Sequence, residues 1–238
     1  DTETCNGLIR SSLFGDAVQN LPVTIMGLFA PGTAGGANQG TGIKEENLRV
    51  NPWEYVLLME GFPLFAAAAA GRDGIMTQGA SAPFSVQFSR AGFDSEGKSE
   101  GTLNETWLPI WNHPSTFAEI GRIFAEGRAC VGRRPARTGT DFARAVSTLG
   151  VDRGIASFER YVCLQRRGLS HIAYPAGTMD VRLRPKVSRL SDTDGITRSL
   201  NEFVRKLKSP PAALEEIINR IEKAMFACAQ FPEPRHFG

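Results

Sequence analysis

Histidine, cysteine and long apolar runs are all scarce in this 238-residue chain, and each scarcity removes a class of function. The three histidines, His113, His171 and His236, stand apart from one another and from the cysteines, so no metal-ligand spacing appears. Cys5, Cys130, Cys163 and Cys228 form no C-x-x-C pair and are too sparse for a disulfide scaffold. Reduced thiols in a cytoplasm, with no metal and no cofactor, are the expectation. The most membrane-like stretch, Tyr55 to Ala70, is broken by Glu60, Gly61 and Pro63. It also falls short of the roughly 20 apolar residues that span a bilayer, so a buried core helix and no membrane partner are expected. No basic-plus-apolar leader opens the chain. Residue 1 is Asp, and the chain stops at Phe237-Gly238 soon after a strong helical pattern, which suggests an internal piece of a longer protein.

Catalytic signatures are equally thin, so no enzymatic activity is expected. There is no G-x-S-x-G elbow. Gly92 to Ser99 does fit the P-loop pattern. Phosphate binding there needs a helix to start at Lys98-Ser99, with free N–H groups facing the ligand. Glu100-Gly101-Thr102 and then Pro109 follow instead, and Asp94, Glu96 and Glu100 would repel a triphosphate. A surface loop is the better reading.

Charge is present, but unevenly. Residues 1–120 hold 6 Lys/Arg against 13 Asp/Glu, a net of −7; residues 121–238 hold 21 against 12, a net of +9. Between Arg122 and Arg189 there are 14 basic groups to 5 acidic, and 13 of the 14 are arginine. The planar guanidinium fork suits phosphates and base edges. An ordinary salt-bridged surface would need more carboxylates nearby than this stretch supplies.

Periodicity gives an α+β fold, predominantly helical with short antiparallel β elements and a winged-helix-like segment. Val23 to Phe29 reads as a short strand running into Pro31 to Gly42, which carries five glycines in twelve residues. That loop is either a plain connection or a backbone able to lie close against a ligand. Asn51-Pro52 should open a helix, with Asn51 as N-cap and Pro63 kinking or dividing it. Ala82 to Ser89 alternates like a strand, and Thr106 to Trp111 is a second short strand candidate. From Ser115 a helix should bury Phe117, Ile120, Ile123 and Phe124. An Arg-rich loop over 127–140 precedes a helix over 141–149, a glycine turn, and a second helix over 155–166. A hairpin follows, turning at Pro175-Ala176-Gly177. Helix, turn, helix and hairpin is the order of a winged helix-turn-helix. Two more helices, 196–208 and 211–229, close the chain. Three regions result: 1–114 mixed α/β with the glycine loop, 115–186 basic and winged-helix-like, 187–238 a helical pair.

The candidate nucleic-acid contacts are Arg128, Arg133, Arg134, Arg137 and Arg144 from the loop and first helix, and Arg153, Arg160, Arg166 and Arg167 from the second. Arg182 and Arg184 add the hairpin. Arg-rich segments grip phosphates because each contact releases condensed counterions.

Several blocks resemble the large subunit of type I-G (formerly type I-U) CRISPR effector complexes. They are "NPWEYVLLMEG" (51–61), "ETWLPIW" (105–111), "EGRACVGRRPARTGTDFARAVSTLGVDRGIASFERY" (126–161) and the "APGTAGGANQG" loop (30–40). The resemblance implies a non-enzymatic subunit that binds CRISPR RNA, target double-stranded DNA and other effector-complex subunits. Such a subunit helps recognise the flanking motif, helps open the duplex and docks the helicase-nuclease. By analogy with other type I large subunits, Gly35, Gly36, Asn38 and Gln39 would form the motif-reading loop. A winged-helix transcription regulator is the alternative, and a scaffold binding only neighbouring subunits through its arginines is another.

Overall fold

The computed structural model describes residues 2–22, 51–70, 84–86, 102–165, 171–207 and 211–231. The expected strand at 23–29, the glycine loop and the P-loop-like segment lie outside the described residues. The chain forms two compact units, Asp1–Ala66 and Ala67–Gly238.

In the first unit, α1 (Thr2–Phe14) and the start of α2 (Pro52–Ala70) are tied by Asn51. Its amide donates to the Leu8 carbonyl at 2.6 Å, while its Oδ1 accepts the Trp53 N–H at 3.1 Å. The expected N-cap is therefore present, satisfying one of the donors that a helix start leaves open. Pro63 does not divide α2, which runs on past it.

The second unit is built on a four-stranded antiparallel sheet in the order β1-β2-β5-β6. The strands are β1 (Ser85–Val86), β2 (Thr102–Ile110), β5 (Ser157–Gln165) and β6 (His171–Asp180). Between β2 and β5 the chain makes α3 (Phe117–Glu126), a two-stranded ribbon of β3 (Cys130–Val131) and β4 (Arg134–Pro135), and α4 (Gly139–Ser147). After β6 come a 3₁₀ helix (Pro185–Thr193), α5 (Asp194–Lys206) and α6 (Ala212–Gln230). The fold is thus mixed α+β, with helix outweighing a small antiparallel sheet.

Two expectations fail here. Within the expected second helix, 155–166, Ser157–Gln165 form strand β5, paired along β2 and β6. Its apolar residues Phe158 and Val162 fit a helix spaced by four as well as a strand spaced by two, and sheet pairing decides between them. The expected hairpin turn at Pro175-Ala176-Gly177 lies inside β6, where Arg160 pairs with Gly177 and Tyr161 with Pro175. The extra residue, Ala176, makes a bulge, and Gly177 supplies its φ of 114°. The helix-turn-helix-hairpin order is therefore not formed.

One sheet face carries the core. Strand alternation turns Glu105, Trp107 and Pro109 of β2 inward beside Phe158, Arg160 and Val162 of β5. Trp107 stacks on Phe142 of α4 at 4.6 Å, and Phe142 meets Phe158 edge-on at 5.1 Å. Phe84, just before β1, packs edge-on against Phe124, Phe142 and Phe158. α4 is buried along its whole length and fastened to α6 by Ser147 Oγ donating to the Ala229 carbonyl at 2.8 Å. α3 starts one residue later than expected, at a Thr116–Glu119 capping box, and buries Ile120 and Phe124 but leaves Phe117 exposed.

Candidate nucleic-acid interface

The arginine-rich stretch begins where α3 ends. Gly127 takes the left-handed conformation (φ 49°) and stops the helix, releasing the chain into the ribbon. Val131 pairs with Arg134, so Gly132 and Arg133 alone make the turn, with Gly132 at φ 61°. A two-residue turn of this kind favours a residue without a Cβ at its positive φ. The ribbon continues through Ala136 N–H donating to the Ala129 carbonyl at 2.8 Å. On its other side Ala129 bridges Val151, and the Cys130 N–H reaches the Gly150 carbonyl at 2.8 Å. A Cβ on Gly150 would stand 1.8 Å from the Cys130 carbonyl oxygen, so only glycine lets these segments approach.

Alternation along the ribbon sorts the arginines. Arg134 turns inward and grips Asp141 of α4 through two parallel bonds, Nη1 at 2.8 Å and Nη2 at 2.6 Å. Those bonds hold its guanidinium pKa above the usual value. Arg128, Arg133 and Arg137 face outward and are exposed, as are Arg153 and Arg182. None of these five makes an ion pair with a carboxylate among the described residues.

Three further expected contacts are internal. Arg160, placed outward on a helix by the sequence reading, points inward because β5 is a strand; it is 2% exposed. Its Nε and Nη2 donate to Glu105 Oε2 at 2.8 and 2.5 Å, and its guanidinium lies over the Phe226 ring at 4.7 Å. Glu105 is itself fully buried and also accepts from Trp107 Nε1 at 3.2 Å. Burial pushes its carboxyl up to about 7, against the pull of Arg160. Arg144 is buried in α4, with Nη1 on Asp194 of α5 at 2.6 Å. Arg184 is 5% exposed and has no carboxylate partner among the described residues. Its Nη1 donates to Ser147 Oγ and the Asp180 carbonyl, both at 3.2 Å. Ser147 closes α4, so this cation sits at the partly negative end of a helix, a favourable place for it. Burial, then Arg182, lowers its pKa.

Arg144, Arg160 and Arg184 are therefore fastenings of the fold, and Arg134 is largely one. Arg166, Arg167, Gly35, Gly36, Asn38 and Gln39 lie outside the described residues. Sequence reasoning missed Glu105, although its two-residue spacing from Trp107 in "ETWLPIW" is a strand signal that puts both on one face.

One more group matters at the ribbon. Asp152 Oδ2 accepts the Arg128 backbone N–H at 3.2 Å, joining the two segments beside the outward arginines. Burial raises its carboxyl to about 6, the Arg128 N–H pulls it down, and the nearby Glu126 carboxylate raises it again. Among the described residues no group of three or more His, Cys, Asp and Glu is placed to hold a metal, and no helix is long and apolar enough to cross a membrane. No family model matches the chain, and no curated protein matches it in sequence.

Proposed function

We propose that this chain is a nucleic-acid-binding subunit whose contact surface is the outward arginine set Arg128, Arg133, Arg137, Arg153 and Arg182. The observation that carries this reading is the sorting itself. The fold draws on carboxylates to satisfy Arg134, Arg144 and Arg160, yet leaves these five exposed and, among the described residues, outside any ion pair. Exposed, unmatched guanidinium groups attract a polyanion and displace its counterions.

The narrower proposal rests on the sequence blocks. It is that the chain serves in a type I-G CRISPR interference complex, aiding flanking-motif recognition, duplex opening and helicase-nuclease docking without chemistry of its own. Sequence reading would come mainly from guide pairing, with the protein gripping backbone. The transcription-regulator alternative needed a recognition helix at 155–166, where Ser157–Gln165 form β5.

Two measurements test the proposal. Arg133→Glu with Arg137→Glu should weaken duplex binding and flatten its dependence on salt. Unchanged affinity and slope would remove the ribbon from the interface. Coexpression of the chain with its genomic neighbours should yield short, uniform RNA on purification; its absence would sink the effector-complex assignment.

A further inference from the structure

α5 is fastened on one side and bare on another. Asp194, at its start, holds Arg144 of α4, Thr197 Oγ1 donates to the Thr193 carbonyl at 3.2 Å, and Val204 is half-buried. At 3.6 residues per turn these three share one side of the helix, while Ile196, Ser199, Phe203 and Lys206 share a different one. All four of the latter are exposed, Ile196 by 73% and Phe203 by 56%. A shallow groove runs along this bare side, lined by Asp192, Gly195, Ile196, Ser199, Leu200 and Phe203. From 192 through 196, 199 and 203 to 206 the steps alternate four and three, the spacing of a seam between two helices. Single exposed apolar side chains are ordinary, but a row of them along a groove marks an interaction surface.

The order of side chains along the seam indicates what covers it. It begins with a carboxylate, Asp192, and ends with an ammonium, Lys206, and neither makes an ion pair among the described residues. Between them, bulky Ile196 and Phe203 stand beside small Gly195 and Ser199, and a Cβ on Gly195 would meet only open space. A second copy of the same helix, laid antiparallel about a twofold axis between positions 199 and 200, answers each of these features. Ile196 then stands level with Phe203 of the second copy, Leu200 with its Ser199, and Asp192 with its Lys206. Twofold symmetry makes every such contact twice. A parallel pair would instead set like charge against like.

From this pattern we infer that the bare side of α5 is a self-association surface on which two copies of the chain pair antiparallel. The inference is independent of the nucleic-acid reading. At 1.5 Å per residue α5 is only about 20 Å long, so one helix pair buries less than the roughly 1,200 Å² at which stable interfaces begin. The dimer is therefore weak and depends on concentration.

Sedimentation of the full chain at rising concentration tests it. The mass should climb from that of one chain toward that of two. Ile196→Ser with Phe203→Ser should hold it at one, and an unchanged urea-unfolding midpoint would show that the variant is folded. Asp192→Lys alone should weaken association about tenfold, because two symmetric contacts turn from attraction to repulsion. Lys206→Asp alone should do the same, and the two changes together should restore association. Recovery in the exchanged variant, which carries both substitutions, excludes misfolding as the cause of the single losses. A chain that stays single at every concentration would refute the surface and leave the seam to a different protein. Association indifferent to Ile196 and Phe203 would place the contact elsewhere and refute it equally. Failure of the exchanged pair to recover would overturn the antiparallel arrangement.

Discussion

Replacing Glu105 by alanine would take from Arg160 the carboxylate it grips beside Trp107 and Phe226 on the buried face of β5. The guanidinium is 2% exposed and meets that carboxylate at 2.5–2.8 Å. Removing one member of a buried pair typically costs about 3–5 kcal/mol, because the remaining charge is left desolvated and uncompensated. Trp107 Nε1 would lose its acceptor as well, adding about 1 kcal/mol. Against a total stability of about 5–15 kcal/mol, such a loss is large. Arg160→Met should cost less than Glu105→Ala, because the carboxyl left behind is one that burial already pushes up to about 7 and can take a proton. The double variant Glu105→Leu with Arg160→Met should fall well short of the summed single losses, since neither charge remains. Urea unfolding followed by tryptophan fluorescence would measure all three, Trp107 being stacked in the core on Phe142. If Glu105→Ala lies within about 1 kcal/mol of the parent, or the double variant is simply additive, the pair is not a coupled fastening.

Gly139→Ala tests the same contact from α4. The new Cβ would lie 1.6 Å from Glu105 Oε1, so a loss of about 1–3 kcal/mol in urea unfolding is expected; a neutral result would mean the carboxylate moves aside freely. Asp152 sets a pH dependence. Its carboxyl is raised from 3.8 to about 6 in the folded chain, which therefore holds the proton more tightly than the unfolded chain does. Its contribution is full below about 4 and is lost as pH rises through about 6. Asp152→Asn should flatten that part of a stability–pH profile, and an unaltered profile would show the group is not responsible. Thr116→Ala removes the reciprocal bonds at the start of α3 and should cost about 1 kcal/mol, whereas an unchanged unfolding midpoint would mean the capping box contributes little.

What was legible in the sequence was local chemistry. Asn51-Pro52 announces a helix start because a side-chain oxygen and a missing N–H both suit the first turn, and Asn51 does cap α2. Alternation of Phe84 and Val86, and the helical spacing of Ile120 and Phe124, likewise mark side chains that are buried. Ile155 to Arg166 failed because its apolar spacing is compatible with both periods. Only the hydrogen-bonding partners on β2 and β6, distant in sequence, decide for strand. That single change of period reversed the direction of Arg160. Pro175-Ala176-Gly177 failed for a related reason, since turn residues also build a bulge, and Pro175 is tolerated on β6 as an outer strand of the described sheet.

The charge argument shows a different limit. Counting 14 basic groups to 5 acidic over 122–189 treats neutralisation as local, but the fold imports acids from beyond that window. Glu105 arrives on β2 to meet Arg160, and Asp194 arrives on α5 to meet Arg144. Arg184 makes no ion pair among the described residues and sits instead at the end of α4, where Nη1 donates to Ser147 Oγ. The surplus facing solvent is therefore smaller than the sequence count, and it is arranged rather than spread. Inward arginines alternate with outward ones along a short ribbon, so the bonds that bury Arg134 also fix the backbone presenting Arg133 and Arg137. On the proposed nucleic-acid reading, stability and binding are coupled through Asp141. Asp141→Ala should loosen the ribbon and weaken duplex affinity, although this residue carries a charge of the wrong sign to touch phosphate. A simple electrostatic surface predicts the reverse, tighter binding once a negative charge is gone, so the direction of the change in affinity decides whether the ribbon's geometry or only its charge matters.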